Sequence, residues 1–168
     1  FFQHDRVGAD LAETWCLRYK TSTRFREVMA LCVRRHLALG FMVHRQPLSL
    51  RQIDRYLRST APAEVELMVL SVADRLATNG ARTTPPQIDR HLDVARQIAR
   101  CYVELADRGP VRPLINGAEL GELLGRPPGR WMTELLEALR EEQVVGLIRT
   151  TQQAERFARS WAAIHPTA

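Results

Sequence analysis

A chain of 168 residues, 45% of them hydrophobic, can bury one or two modest cores. It has few aromatics, no apolar run long enough for a bilayer-spanning helix and no signal-peptide pattern, so a soluble cytoplasmic protein is expected. The net charge of +5 is uneven: residues 1–60 hold 11 Lys+Arg against 5 Asp+Glu, whereas the remainder is close to neutral.

In chain order the pattern is helical throughout. Phe2 to about Tyr19 places His4, Val7, Gly8, Leu11 and Trp15 along one stripe. Thr21-Ser22-Thr23 offers caps for a second helix, with Phe25, Val28, Met29, Cys32, Val33 and His36 on its inner face and a stop at Leu39-Gly40. After Pro47, Ser49 and Gln52 form a capping box, in which each side chain bonds the other residue's backbone N–H. Leu50, Ile53 and Leu57 supply the apolar side of that helix, and Arg51, Arg55 and Arg58 lie opposite. Val65 to Ala77 is apolar nearly all round and is predicted to be central, ending at Asn79-Gly80. Thr84, two prolines and Gln87 start a fifth helix through Ile88, Leu92, Ala95, Ile98, Ala99, Tyr102 and Leu105.

Gly109-Pro110 and Pro113 make a linker, which divides the chain into 1–108 and 109–168. Beyond it, Asn116 and Glu119 form a second capping box on a short helix stopped by Gly125, Pro127 and Pro128. Gly129 opens a longer helix with Met132, Leu135, Leu136 and Leu139 on one stripe. Its first amides have no intrahelical partner, so Gly129 with Arg126 and Arg130 could cradle a phosphate. The same spacing fits an ordinary helix start that binds nothing. Thr150 and Gln153 cap a last helix through Phe157 and Trp161. Val144–Ile148 is the only strand-like run, and it is too short to count. The predicted class is all-α.

All but one of the basic residues are Arg, whose planar guanidinium suits bidentate phosphate contact and stacking. A basic first third on a near-neutral remainder fits a polynucleotide partner, and it also fits solvated helix faces. Cys16, Cys32 and Cys101 are widely spaced, which suits free thiols rather than a disulfide framework or a zinc site.

Gly117, Leu120, Leu123, Leu124, Gly125, Pro128-Gly129, Leu135-Leu136, Leu139, Gly146, Ile148 and Thr150 together resemble the C-terminal segment of bacterial tRNA nucleotidyltransferases and poly(A) polymerases. Arg130 departs from the pattern, standing where a Pro is expected. Members of this family often carry a helical HD domain. The resemblance implies the C-terminal portion of an HD-type helical domain over 1–108 and a small helical RNA-binding tail over 109–168. It further implies contacts to tRNA or other RNA from Arg45, Arg51, Arg55, Arg58, Arg126, Gly129 and Arg130.

His4 in FFQHDRVGAD, His36 in VRRH and Asp74 in VAD resemble the later members of an HD-type metal site, which would hold a divalent metal. The resemblance puts the first His and the adjacent His-Asp pair upstream of Phe1. A polar group on an apolar stripe is costly unless paired or ligated, and each of the three could equally be bonded to a neighbour. The Gly-Ser motif and paired acids of the transferase, with their Mg, are absent from this chain. They are expected in an N-terminal head, the chain being read as part of a longer protein. The alternative is a metal-dependent HD phosphohydrolase acting on nucleotides or phosphodiesters at His4, His36 and Asp74.

Overall fold

The computed structural model describes residues 3–78, 80 and 83–165, and all regular structure among them is helical. Phe2, read as the start of the first helix, and Asn79, read as the end of the fourth, lie outside the described residues. The chain divides into two compact units, Phe1–Asp107 and Arg108–Ala168.

The first unit contains α1 (His4–Arg18), α2 (Thr23–Arg35), α3 (Ala38–Met42), a 3₁₀ turn at Val43–Arg45, α4 (Leu50–Thr60), α5 (Glu64–Ala77) and α6, which starts at Pro85 and runs to Arg108. α1 packs chiefly on α2, and of the expected stripe Gly8 faces that helix whereas the large members do not. Ala9 and Cys16 are its buried residues, whereas Val7, Leu11 and Trp15 are 51%, 64% and 52% exposed. The reason is steric: small residues let the two helices come close. A Cβ added at Gly8 would lie 3.0 Å from Val33 Cγ1.

α2 starts where Ser22 caps it, accepting from the Phe25 N–H at 3.2 Å. It ends at Arg35, so Leu39-Gly40 is not its stop but part of α3, with Leu39 fully buried. The Ser49–Gln52 capping box forms and starts α4. Leu39, Met42, Leu48, Ile53, Tyr56, Leu57, Met68, Val94, Ala95 and Ile98 make the main core of this unit. α5 is not central. Leu67, Met68 and Ser71 are its buried residues, and Val65, Val69 and Leu76 are exposed. Its neighbours cover one side only, so an apolar composition all round does not translate into burial all round.

The second unit contains α7 (Gly117–Leu124), α8 (Arg130–Val144) and α9 (Thr151–Ile164). Both predicted capping boxes form, Asn116 with Glu119 and Thr150 with Gln153. Gly125 ends α7 at φ 61°, a left-handed conformation that costs glycine nothing. Ile115, Leu120, Leu135, Leu139, Ile148, Ala154 and Ala158 form the core. The Gln143 side chain pins the incoming chain to α8, donating to the Arg112 carbonyl at 3.0 Å and accepting from the Leu114 N–H at 3.5 Å. Val144–Ile148 is the end of α8 and a turn through Gly146 at φ 76°, not a strand.

Candidate nucleic-acid interface

The seven residues expected to meet RNA divide by what else they do. Arg45 is exposed at the end of the 3₁₀ turn, and Arg55 is exposed on α4. Arg51 and Arg58 are half-buried. The Arg58 Nε donates to Asp54 Oδ2 at 3.1 Å, and Asp54 is only 4% exposed. A carboxylate that deep in the fold needs a cation beside it, so Arg58 is tied to the protein first.

In the second unit Arg126 is also engaged. Its Nη1 donates to the His165 carbonyl and its Nη2 to the Ala162 carbonyl, both at 3.1 Å. These carbonyls belong to the C-terminal end of α9, where orphan acceptors and the negative helix pole favour a cation. The guanidinium also lies 5.9 Å from the centre of the Trp131 ring. Gly129 is the extended N-cap of α8, and a Cβ there would meet the Trp131 ring at 3.2 Å. That ring is fixed by its own bond, Nε1 to the Pro127 carbonyl at 2.9 Å. Arg130 remains at the surface, paired within its helix to Glu134 at 2.9 Å. The start of α8 therefore offers one surface Arg and a glycine N-cap, and Arg126 serves α9.

His4 and His36 do come together: their Nε2 atoms are 3.2 Å apart. His36 Nδ1 lies 2.6 Å from the Val33 carbonyl, which can only accept, so Nδ1 carries the proton of that bond. Asp74 is not with them. It lines a separate cavity together with His44 and His91. Among the described residues no three His, Cys, Asp or Glu side chains are grouped to hold a metal ion. Nor do the three sit in the core: His4 and Asp74 are exposed and His36 half-buried, so the cost of burying a polar group does not arise.

The buried imidazole is His91, 6% exposed, with its Nε2 3.2 Å from Ser71 Oγ. Burial and the nearby Arg75 push its pKa down. Its position in the α6 stripe, three residues after Ile88 and seven before Ile98, was the signal that could have found it. None of the cysteines is in a disulfide: Cys16 and Cys32 are buried and Cys101 is half-buried. No helix among the described residues is long and apolar enough to cross a membrane.

The described residues form an all-helical chain with exposed arginines. The chain is similar to the A-adding tRNA nucleotidyltransferase of Deinococcus radiodurans, 28% identical over 166 residues, which is 99% of this chain and 36% of that protein. It is also similar to the CC-adding tRNA nucleotidyltransferase of Thermus thermophilus, 29% identical over 96% of this chain and 34% of that protein. The CC-adding enzyme of Geobacter sulfurreducens is 34% identical over 57% of this chain and 19% of its own length. The chain thus spans about a third of the length of the first two relatives. No family model and no solved structure matches it.

Proposed function

We propose that this chain is the helical RNA-holding region of a tRNA nucleotidyltransferase, and that nucleotide transfer, with its Mg, takes place in a head the chain does not contain. The observation that carries the reading is similarity along nearly the whole chain to A-adding and CC-adding enzymes about three times as long. Arg45 and Arg55 in the first unit and Arg130 with the Gly129 N-cap in the second supply the phosphate contacts. Arg51 adds charge beside Arg55. Arg58 and Arg126 hold the helices that present the others. Such contacts follow the shape and backbone of a folded RNA rather than its base sequence. The reading is tested by binding labelled tRNA in competition with duplex DNA of similar length. Preference for tRNA supports it, and equal competition by DNA contradicts it.

The contact between His4 and His36 favours a second reading, in which the pair supplies part of an HD-type divalent-metal site. Two imidazoles do not close a coordination shell, and Asp74 is not grouped with them, so no hydrolytic step is derived from it. Metal content and thermal stability with and without a chelator, for the unmodified chain and His36→Ala, test this reading. Stability and metal content unchanged by chelation would contradict it.

A further inference from the structure

The cavity that takes in Asp74 has a volume of about 500 Å³ and lies among the turn after α3, the end of α5 and the start of α6. That is the size range of small-molecule sites. Two guanidiniums line it, Arg75 from α5 and Arg90 from α6, with His91 and His44 also in the wall. We propose that this cavity binds the phosphate group of a sugar phosphate between Arg75 and Arg90, with Asp74 accepting a hydroxyl of the same ligand.

Three observations converge. First, neither guanidinium has a carboxylate partner among the described residues. Arg75 makes one long bond, Nη2 to Gln87 Oε1 at 3.4 Å, and Arg90 donates from Nε to the Pro86 carbonyl of its own helix at 3.2 Å. Second, Arg75 is kept at a cost. Its Nε is buried without any hydrogen-bond partner, so the loss of water at that donor is uncompensated. A surface arginine with no task would turn outward to water. Third, the charge is one-sided but not uniform. Arg75 and Arg90 outweigh the single Asp74 carboxylate, and the buried His91 stays neutral. A bare dianion would meet Asp74 as a like charge. A sugar phosphate also carries hydroxyls on its ring, for which that carboxylate is an acceptor, and a nucleotide presents both groups.

The ligand phosphate can come from a free nucleotide or from an end of an RNA chain, and the cavity does not depend on the tRNA reading. Isothermal titration of the chain with inorganic phosphate and with AMP tests the site. AMP is expected to bind saturably and more tightly than phosphate. Arg90→Gln, at an exposed position, is expected to weaken AMP about tenfold, with Arg100→Gln on the same helix as an unchanged control. Arg75→Lys, which keeps the charge but not the fork, is the second variant and should also weaken AMP; circular dichroism checks that it folds. Displacement of AMP by tRNA assigns the phosphate to an RNA end, and its failure assigns it to a free nucleotide. Absence of saturable AMP binding, or Arg90→Gln binding like the unmodified chain, would overturn the proposal.

Discussion

Arg126 reaches from the turn after α7 to the Ala162 carbonyl at 3.1 Å, so one side chain closes the far end of α9. Its second bond, to His165, makes the contact two-pronged. Charge-assisted bonds of this kind contribute about 1.5–3 kcal/mol when the acceptors would otherwise be orphaned. Arg126→Ala is expected to destabilise the second unit by about 2 kcal/mol, read from urea unfolding. Arg130→Ala, at a surface pair, should change stability by less than about 0.5 kcal/mol.

Asp54 and Arg55 separate stability from binding on α4. Asp54 is buried and its partner Arg58 is about a third exposed, which screens the pair and lowers its worth below that of a fully buried one. Asp54→Ala should cost about 1–3 kcal/mol through the arginine left behind. Arg55→Ala should leave the unfolding midpoint nearly unchanged and reduce RNA affinity instead. Parallel urea and tRNA titrations of the two variants distinguish these outcomes.

His91 gives the stability a pH dependence. Burial, and then Arg75, depress its pKa in the folded chain, so the unfolded chain binds the proton more readily. The stabilisation is present above the ordinary histidine value of about 6.5 and is lost as pH falls below it towards the folded value. His91→Gln should flatten that part of the curve. Urea midpoints between neutral and mildly acidic pH measure it.

Gly8 sets the spacing of α1 on α2. Alanine in a helix interior is ordinarily favoured over glycine by about 1 kcal/mol. Here the new methyl would press on Val33, a β-branched residue whose rotamer on a helix is nearly fixed. Overpacking of about 1–3 kcal/mol outweighs the propensity gain, so Gly8→Ala should lower the melting temperature.

The helix class and three helix starts were legible because capping boxes are local: Ser49 with Gln52, Asn116 with Glu119 and Thr150 with Gln153 need no tertiary partner. The inner face of α1 was not legible. Val7, Leu11 and Trp15 make the stronger hydrophobic stripe, but packing follows the small residues Gly8, Ala9 and Cys16. α5 misled in the same way, since composition cannot say which side has a neighbour. At the candidate interface Arg45, Arg51, Arg55 and Arg58 were visible as a charge excess in the first third of the chain. That Arg126 is bonded to residues near the end of the chain, and Arg58 to a buried Asp54, depends on contacts no local pattern encodes. The resemblance grouped His4, His36 and Asp74, of which only the two imidazoles meet, whereas Arg75 and Arg90 converge from separate helices and left no motif.

The salt dependence of tRNA binding tests the central claim most directly. Fluorescence anisotropy of labelled tRNA at rising salt should give an affinity that falls linearly on logarithmic axes, as phosphate contacts release counterions. The double variant Arg45→Gln/Arg55→Gln should reduce that slope by about 2, roughly one for each contact removed. An absence of binding at low salt, or a slope the double variant leaves unchanged, would contradict the assignment of these helices to holding RNA.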